Sequence, residues 1–264
     1  MLNYATSNKT LGAGRLFLDL EDPVTLAHSG EVYMGDTPGF TVTVNVTKVE
    51  DYTSDGAMAE KDVDVVTKIV RTSKIQCKNV NSDNLALFVM GSKTSIAQTA
   101  VAVVGEAINA AKKDRYYQLG VTASNPSGTR NVTALTVTDD TTPTPVTYVL
   151  GTDYEADLAL GRIHVLSGGA IVDGVTNLRV GYTPVAGSRE QVASNALGAR
   201  FGRLRFIAEN TTGSNRDLVG PRVEISPNGN LDFKSRSTLM QMDFDVEFLV
   251  SGNLAAMYID GRPA

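Results

Sequence analysis

The chain has 264 residues, 42% of them apolar, which is enough for one large domain or two ordinary domains with hydrophobic cores. Its formal net charge is −5, and no block of Lys and Arg is long enough to bind a phosphate backbone, which argues against nucleic-acid affinity. The single cysteine, Cys77, excludes an intrachain disulfide and a cysteine-based metal site. A signal-peptide pattern and an apolar run of membrane length are both missing. We therefore expect a soluble protein made in a reducing cytoplasm, with no membrane partner.

The first part of the chain predicts a long arm followed by two strands. Residues 1–38 are Gly-rich and mostly irregular, with a short apolar stretch at 16–18. Residues 39–49 alternate Val with Thr or Asn, and residues 63–80 are rich in β-branched side chains, so both predict strands. The polar residues 50–60 connect them as a loop.

Helix is scarce in this sequence. Residues 82–91 predict a short helix, which Ser82 or Asp83 would cap and Gly91 would end. In residues 95–112, the alanines favour a helix and the valines favour a strand, and of the two we favour the strand.

Residues 116–189 have a different composition, dominated by Thr, Val, Gly and Pro. Short strand patterns recur every 8–12 residues between turn signals, which is typical of a small β-sandwich or barrel. We predict that this β-domain is inserted into a parent domain made of residues 1–115 and 190–264.

The C-terminal part predicts strands at 200–208, 222–226, 231–233, 240–250 and 255–259, with a tight turn at 227–230. Within 240–250, apolar side chains alternate with Asp243, Asp245 and Glu247, so one face of the strand is buried and the other carries only carboxylates. Glu60, Asp62 and Asp64 alternate in the same way near the start of an earlier strand. Two such strands would line one acidic wall, although a chance acidic run on a solvated strand is the simpler reading of either segment alone.

The residue types that carry catalysis do not form a recognisable constellation. His28 and His164 lack nearby ligands at metal spacing, and no nucleophile pattern occurs. Asp153, Glu155 and Asp157 alternate but do not match a calcium loop, so they are read as turn-edge acids. We predict no enzyme activity, no cofactor and no metal site.

The order of these features resembles the major tail tube proteins of long-tailed, siphovirus-type bacteriophages. The resemblance covers residues 1–115 and 190–264, and residues 116–189 depart from the family's minimal pattern. It is carried by the segments Gly12–Phe17, 39–80, Asp83–Phe88, Gly202–Asn210, Pro221–Ile225 and Met240–Val250.

The resemblance implies a mainly β fold in which two packed antiparallel sheets with one short helix form the tail tube domain. Subunits of the family join edge to edge in hexameric rings, whose inner strands close a continuous β-barrel around a lumen. The rings stack into a tube in the virion tail, assembled in the cytoplasm of the host bacterium. The implied partners are other copies of the chain, a tape measure protein and tail-end proteins, and duplex DNA passes through without specific binding.

The resemblance also implies roles for particular residues. Duplex DNA carries about one charge per 1.7 Å of its axis, so an acidic lumen would repel it and let it slide during ejection. We therefore expect five carboxylates to face the lumen: Asp62, Asp64, Asp243, Asp245 and Glu247. The loop at 50–60 and the arm at 1–38 would contact the next ring, and the loop residues concerned are Asp51, Tyr52, Ser54, Asp55 and Met58. The inserted domain would lie on the outside of the tube.

Another kind of virion β protein remains an alternative: a head decoration, a baseplate component or a tail-tip adhesin. Such a protein would bind a host-surface ligand, for example a glycan, through residues 116–189. The absence of Trp argues against glycan binding, whereas three tyrosines in that segment leave it open: Tyr148, Tyr154 and Tyr182.

Overall fold

A computed structural model describes residues 9–22, 24–194 and 198–262 of the chain. The elements in chain order are β1 (Gly14–Leu20), β2 (Val32–Tyr33), β3 (Gly39–Tyr52), β4 (Lys61–Cys77), α1 (Ser82–Phe88), β5 (Ser92–Gln98), β6 (Val103–Ile108), β7 (Arg115–Gln118), β8 (Val132–Asp139), β9 (Tyr154–Asp157), β10 (Arg162–Val165), β11 (Leu178–Pro184), β12 (Gly187–Ala193), β13 (Arg200–Ala208), β14 (Arg216–Asn228), β15 (Met242–Phe248) and β16 (Tyr258–Gly261). The prediction of a mainly β protein with a short helix at 82–91 is confirmed. The strand favoured within 95–112 is also confirmed, as β5 and β6.

The chain forms two compact units, unit 1 (Met1–Lys93 and Val192–Ala264) and unit 2 (Thr94–Gln191). The first division comes earlier in the chain than the boundary expected after residue 115. The reason is that β6 pairs with β11 and so belongs to the sheets of unit 2. The chain leaves unit 1 in β5 and returns in β12, and these two strands pair with each other.

Unit 1 is built on an eight-stranded sheet. Its strand order is β2-β1-β13-β14-β15-β4-β3, with β16 also paired to β14, and every pairing is antiparallel. Hydrogen bonds therefore join these strands along one path, and the resemblance implied that the sheets of this domain pack against each other. In this order β3 is an edge strand whose one described neighbour is β4.

The core of unit 1 lies on one face of this sheet. Phe244 is fully buried at the centre of β15, and the ring of Phe88 in α1 meets it edge to face, with 6.0 Å between centroids. Cys77 is also fully buried, and burial raises the pKa of its thiol, so it acts as a small core residue. The helix thus covers the apolar face that the alternating strands present.

The helix is capped by Asn81, and the prediction that Ser82 or Asp83 would cap it is wrong. The Asn81 side-chain oxygen accepts a hydrogen bond from the Asn84 N–H at 2.7 Å, as an N-cap residue does. The side-chain amide of Asn84 in turn donates to the carbonyl oxygen of Met34 at 2.9 Å.

Three-stranded sheets build unit 2, with the orders β7-β10-β9 and β6-β11-β8, and they share one core as the layers of a small β-sandwich do. A half-buried polar network stabilises it. The Glu106 carboxylate accepts hydrogen bonds from the Gly120 N–H at 3.0 Å and from the Tyr182 hydroxyl at 2.6 Å. Burial, followed by the hydrogen bond to Glu106, raises the pKa of Tyr182 well above its ordinary value, so this hydroxyl stays protonated.

One expectation about a connection is wrong. The tight turn expected at 227–230 does not close a hairpin, because β14 continues to Asn228 and residues 229–241 form a long loop before β15. The first strand, β1, lies inside segment 1–38, which was expected to be mostly irregular. Leu16 and Leu18 of β1 are buried in the core, at 1% and 5% exposure. No helix in the described residues is long and apolar enough to cross a membrane.

Replacing Phe244 by Ala should lower the free energy of unfolding of unit 1 by about 3–5 kcal/mol, because it leaves a cavity under α1. Urea denaturation would measure this change. The matched control is Phe233→Ala, since Phe233 is 78% exposed and its loss should change stability by less than about 0.5 kcal/mol. Equal effects of the two substitutions would contradict this placement of the core.

Candidate functional site

The acidic strand predicted at 240–250 has the expected alternation. In β15 the apolar side chains are buried, Asp243 and Asp245 are half-buried, and Glu247 is exposed. The carboxylates therefore occupy the face of the sheet that is turned away from the core.

Neighbouring strands extend this face. Directly opposite Glu247 in the antiparallel register lies Glu224 of β14, which is half-buried, and Asp245 lies opposite Lys74 of β4. We call Glu224, Asp243, Asp245 and Glu247 the acidic face. Sequence analysis missed Glu224, although its place between the buried Val223 and Ile225 shows the same alternation and was available as a signal.

Hydrogen bonds on the acidic face come from amides. The side-chain amide of Asn228 donates to Asp245 at 2.9 Å, and that of Gln241 donates to Asp243 at 2.8 Å. Across residues 9–22, 24–194 and 198–262, none of the four carboxylates makes an ion pair within 4.0 Å. Like charges directly opposite each other destabilise a sheet, so the pairing of Glu224 with Glu247 costs stability in the isolated subunit.

Asp64 does not share a face with the β15 carboxylates, and the expectation of a single acidic wall is wrong. Thr41 of β3 lies opposite Lys74, which lies opposite Asp245, so these three point to the same face. Along the regular strand β3, Glu50 is an odd number of residues from Thr41 and therefore points to the other face, as does its partner Asp64. Asp62 lies where the register shifts, between the paired residues Lys61 and Val63 of β4.

Two acids of the hairpin, Asp64 and Glu50, are also paired with lysines. The carboxylate of Asp64 lies 3.0 Å from the ammonium nitrogens of both Lys48 and Lys61. The ammonium nitrogen of Lys61 also lies 2.6 Å from the carboxylate of Glu50. Hydrogen bonds from Lys48 and then Lys61 lower the pKa of Asp64, and those from Lys61 and Tyr52 lower the pKa of Glu50. This segment is a salt-bridged hairpin surface, in contrast to the acidic face.

The hairpin itself is the second notable surface. Residues 41–52 of β3 and 61–69 of β4 are exposed on both faces, and we call these residues with their connecting loop the ribbon. The large apolar side chains of its two strands are between 37% and 55% exposed: Val42, Val44, Val46, Val49, Tyr52, Val63, Val65, Val66 and Ile69. An isolated two-stranded hairpin is only marginally stable in water, and a large exposed apolar patch marks a contact surface.

The residues expected to contact the next ring lie at the end of this ribbon. Asp51 and Tyr52 end β3, and all five of the expected contact residues are exposed: Asp51, Tyr52, Ser54, Asp55 and Met58. The Thr53 N–H donates to the carbonyl oxygen of Glu60 at 2.8 Å and closes the loop. Of the arm at 1–38, residues 1–8 and 23 lie outside the described residues.

Unit 2 carries an open cleft of about 390 Å³ beside the sheet β7-β10-β9. The Tyr116 ring stacks on His164 with 4.2 Å between centroids, and the Arg162 guanidinium lies 5.0 Å from the same ring. Glu155 also lines the cleft, with a carboxylate oxygen 3.6 Å from Nδ1 of His164. This combination of an aromatic ring with charged groups is suited to a polar ligand.

The acids considered for calcium have a different arrangement. The carboxylate of Asp153 is buried and accepts hydrogen bonds from the N–H groups of Ala170 at 2.7 Å and Val149 at 2.8 Å, which lower its pKa. Asp153 therefore ties two loops of unit 2 together. In the part of the chain that the structure describes, no three His, Cys, Asp or Glu side chains are grouped to hold a metal ion.

Because Glu224 and Glu247 repel each other, Glu247→Gln should raise the free energy of unfolding by roughly 0.2–1 kcal/mol at low ionic strength. Urea denaturation of both single variants and the double variant forms the internal control, since Glu224→Gln should remove the same repulsion and the double variant should add little. The gain should shrink at high salt, where the Debye length is short. A loss of stability in the Glu247→Gln protein at low salt would contradict the repulsion.

The comparisons with known proteins show one family. No curated protein matches the sequence. The family model described as "Protein of unknown function UCP028589" matches residues 9–253, which include all of unit 2 and most of unit 1. On the extent of this match, the chain belongs to the UCP028589 family.

Proposed function

We propose that the protein is a structural subunit that polymerises, as stacked hexameric rings, into the tail tube of a long-tailed bacteriophage. The observation that carries the proposal is the ribbon. Its apolar side chains stay about half exposed even where they face each other across the hairpin, as Val46 and Ile69 do, and a neighbouring copy would bury them further. This is the situation of a subunit whose fold is completed by assembly.

The strand order of unit 1 supports the same proposal. The edge strand β3 runs from Gly39 to Tyr52, and its outer side has no paired strand among the described residues. A long edge strand with open N–H and C=O groups is a template for pairing with another chain. Ring closure by edge-to-edge pairing would satisfy these groups and prevent uncontrolled aggregation.

The acidic face supports a lumen that conducts DNA. Its four carboxylates lack ion-pair partners in the described residues, and two of them oppose each other at a cost in stability. Such a face serves a function in which negative charge is needed, and repulsion of the DNA backbone is one. We propose that Asp243, Asp245 and Glu247 face the lumen, together with Glu224. Asp64 takes no part in this wall, because it points to the other face of the hairpin and is paired with lysines.

A second candidate function is supported by the cleft of unit 2. Tyr116 is 61% exposed beside Arg162 and His164, as an aromatic platform for a host-surface glycan would be. In that reading the protein is a tail-tip adhesin or a decoration. Glycan-array binding that Tyr116→Ala abolishes, from a protein that stays monomeric when concentrated, would favour this function over the tube.

Negative-stain electron microscopy of the purified, concentrated protein tests the tube. We expect hollow tubes of stacked rings. The variant Val44→Thr/Val46→Thr/Ile69→Thr should fold normally, because these side chains are exposed and Thr keeps the β-branch, and should form no tubes. The matched control is Val172→Thr/Val175→Thr in unit 2, at valines that are 57% and 70% exposed, and it should assemble like the wild type.

Tubes formed equally well by the ribbon variant would contradict the role of the ribbon. Monomers from the wild type under every condition would overturn spontaneous tube formation. A reconstruction of the tube with Asp243, Asp245 and Glu247 on its outer surface would refute the acidic lumen and leave the tube itself standing.

A further inference from the structure

The net charge of the chain is concentrated at one end of the ribbon. Residues 50–64, which we call the ribbon tip, contain six carboxylates and one lysine, a formal charge of −5 that equals the charge of the whole chain. Lys61 is engaged with Glu50 and Asp64. Four carboxylates of the tip make no ion pair among the described residues: Asp51, Asp55, Glu60 and Asp62. The tip also exposes Met58 at 83% and Tyr52 at 51%.

The long loop at 229–241, which we call the basic loop, has the complementary properties. Lys234 and Arg236 are exposed and form no ion pair with any residue that the structure describes. They lie among two exposed apolar side chains, Phe233 at 78% and Leu239 at 81%. A loop of this length without regular secondary structure, in a compact unit, is commonly a functional segment.

The basic loop nevertheless has internal order. The hydroxyl groups of Ser235 and Thr238 are 2.7 Å apart, and the Thr238 N–H donates to the Ser235 hydroxyl at 3.1 Å. Leu231, at the start of the loop, packs against the core of unit 1. The exposed cations and apolar side chains are therefore presented from an anchored turn.

The register of the sheet places the two surfaces at opposite ends of the strands. The basic loop joins Asn228 to Met242, and Asn228 lies opposite Asp243, which lies opposite Gln76. Gln76 pairs with Gly39 at the start of β3, whereas the ribbon tip begins at Glu50, near the end of β3. The rise of a strand is about 3.3 Å per residue, so the step from residue 39 to residue 50 spans about 36 Å. One copy therefore cannot join its own tip to its own basic loop.

We propose that the ribbon tip of one copy docks on the basic loop of the next copy, head to tail along the strand direction. Lys234 and Arg236 would meet the unpaired carboxylates of the tip, while Phe233 and Leu239 would cover Met58 and Tyr52. Contacts between two different surfaces are heterologous, and they propagate as an open stack when the rotation from one copy to the next does not close a ring. The inference rests on the proposed function, since it names the surface that receives the ribbon in the next ring.

The binding partner of the basic loop is a second copy of this chain rather than a nucleic acid. Two cations beside Asp232 are too few to hold a phosphate backbone firmly, because such binding depends on many phosphate contacts. The tip of the same chain offers both the carboxylates and the apolar side chains that the loop requires. Charge and hydrophobic complementarity thus point to this chain itself.

Cysteine cross-linking tests the contact directly. The variants Asp55→Cys and Arg236→Cys are mixed at equal concentration and oxidised with diamide, and a mixed disulfide dimer should form faster than either homodimer. The native Cys77 does not interfere, because it is fully buried. The matched control replaces Arg236→Cys by Lys112→Cys, at an exposed position of unit 2, and should give no preferred mixed dimer.

Charge reversal gives the second measurement. Lys234→Glu/Arg236→Glu should lower the yield of assembled protein in sedimentation by roughly tenfold or more, and adding Asp55→Lys/Glu60→Lys to the same chain should restore it. The control Lys112→Glu/Arg115→Glu in unit 2 should assemble like the wild type. Circular dichroism checks that each variant is folded.

The outcomes separate this inference from the proposed function. Tubes that form normally in the Lys234→Glu/Arg236→Glu variant, or that yield no mixed disulfide, would overturn the docking and leave the tube standing. A mixed disulfide with rescue by the double reversal, in protein that forms fibres but not tubes, would support the docking and overturn the tube. If the protein forms no tubes and no mixed disulfide, both the docking and the proposed tube are overturned.

Discussion

The ribbon is the part of unit 1 whose side chains and backbone are least satisfied within the described chain. A two-stranded sheet that is exposed on both faces cannot bury its β-branched side chains by itself, and this one carries Val44, Val46 and Ile69 about half exposed. The backbone of β3 has the same need, since its outer edge has no strand beside it in the described residues. Contact with further copies, as proposed, would meet both requirements.

The strand β15 combines two opposite requirements in seven residues. One face supplies Phe244 and its apolar neighbours to the core, and the other carries three carboxylates. Cross-strand pairing brings Glu224 opposite Glu247, which costs stability. A sheet that was selected for stability alone would place a cation at one of these positions, as β4 does where Lys48 and Lys61 surround Asp64. The acidic face lacks such cations, whereas Asp64 is paired with lysines. This contrast is the reason for assigning a function to the acidic face and a structural role to the ion pairs of Asp64.

The proposed docking of the ribbon tip gives the assembly a direction, along the strands of unit 1. The tip and the basic loop are separated by most of the length of β3, so assembly would propagate along the strands while edge pairing acts across them. Unit 2 is interposed in the chain between β5 and β12 and has its own core. Its half-buried Glu106 and buried Asp153 accept hydrogen bonds from backbone N–H groups of the same unit.

Local pattern was enough to determine much of this protein. Period-two alternation predicted β3, β13 and the two faces of β15, because successive side chains of any strand point to opposite sides. The short helix was also predicted, since its apolar residues recur on one side. The repeated strand and turn signals within 116–189 indicated a separate β-domain, although not its first boundary, because the pairing of β6 with β11 is a long-range contact.

Tertiary structure alone decided which strands are neighbours, and therefore which charges meet. The sequences around Asp64 and Asp245 have the same alternation, yet one points to the face of the lysine pairs and the other to the acidic face. Glu224 joined the acidic face only through its register with Glu247. The exposure of the ribbon could not be read from its valines either, since the same pattern is found in a strand whose apolar face is covered. Register and burial are properties of pairs of distant segments, and a single sequence specifies them only through the complete fold.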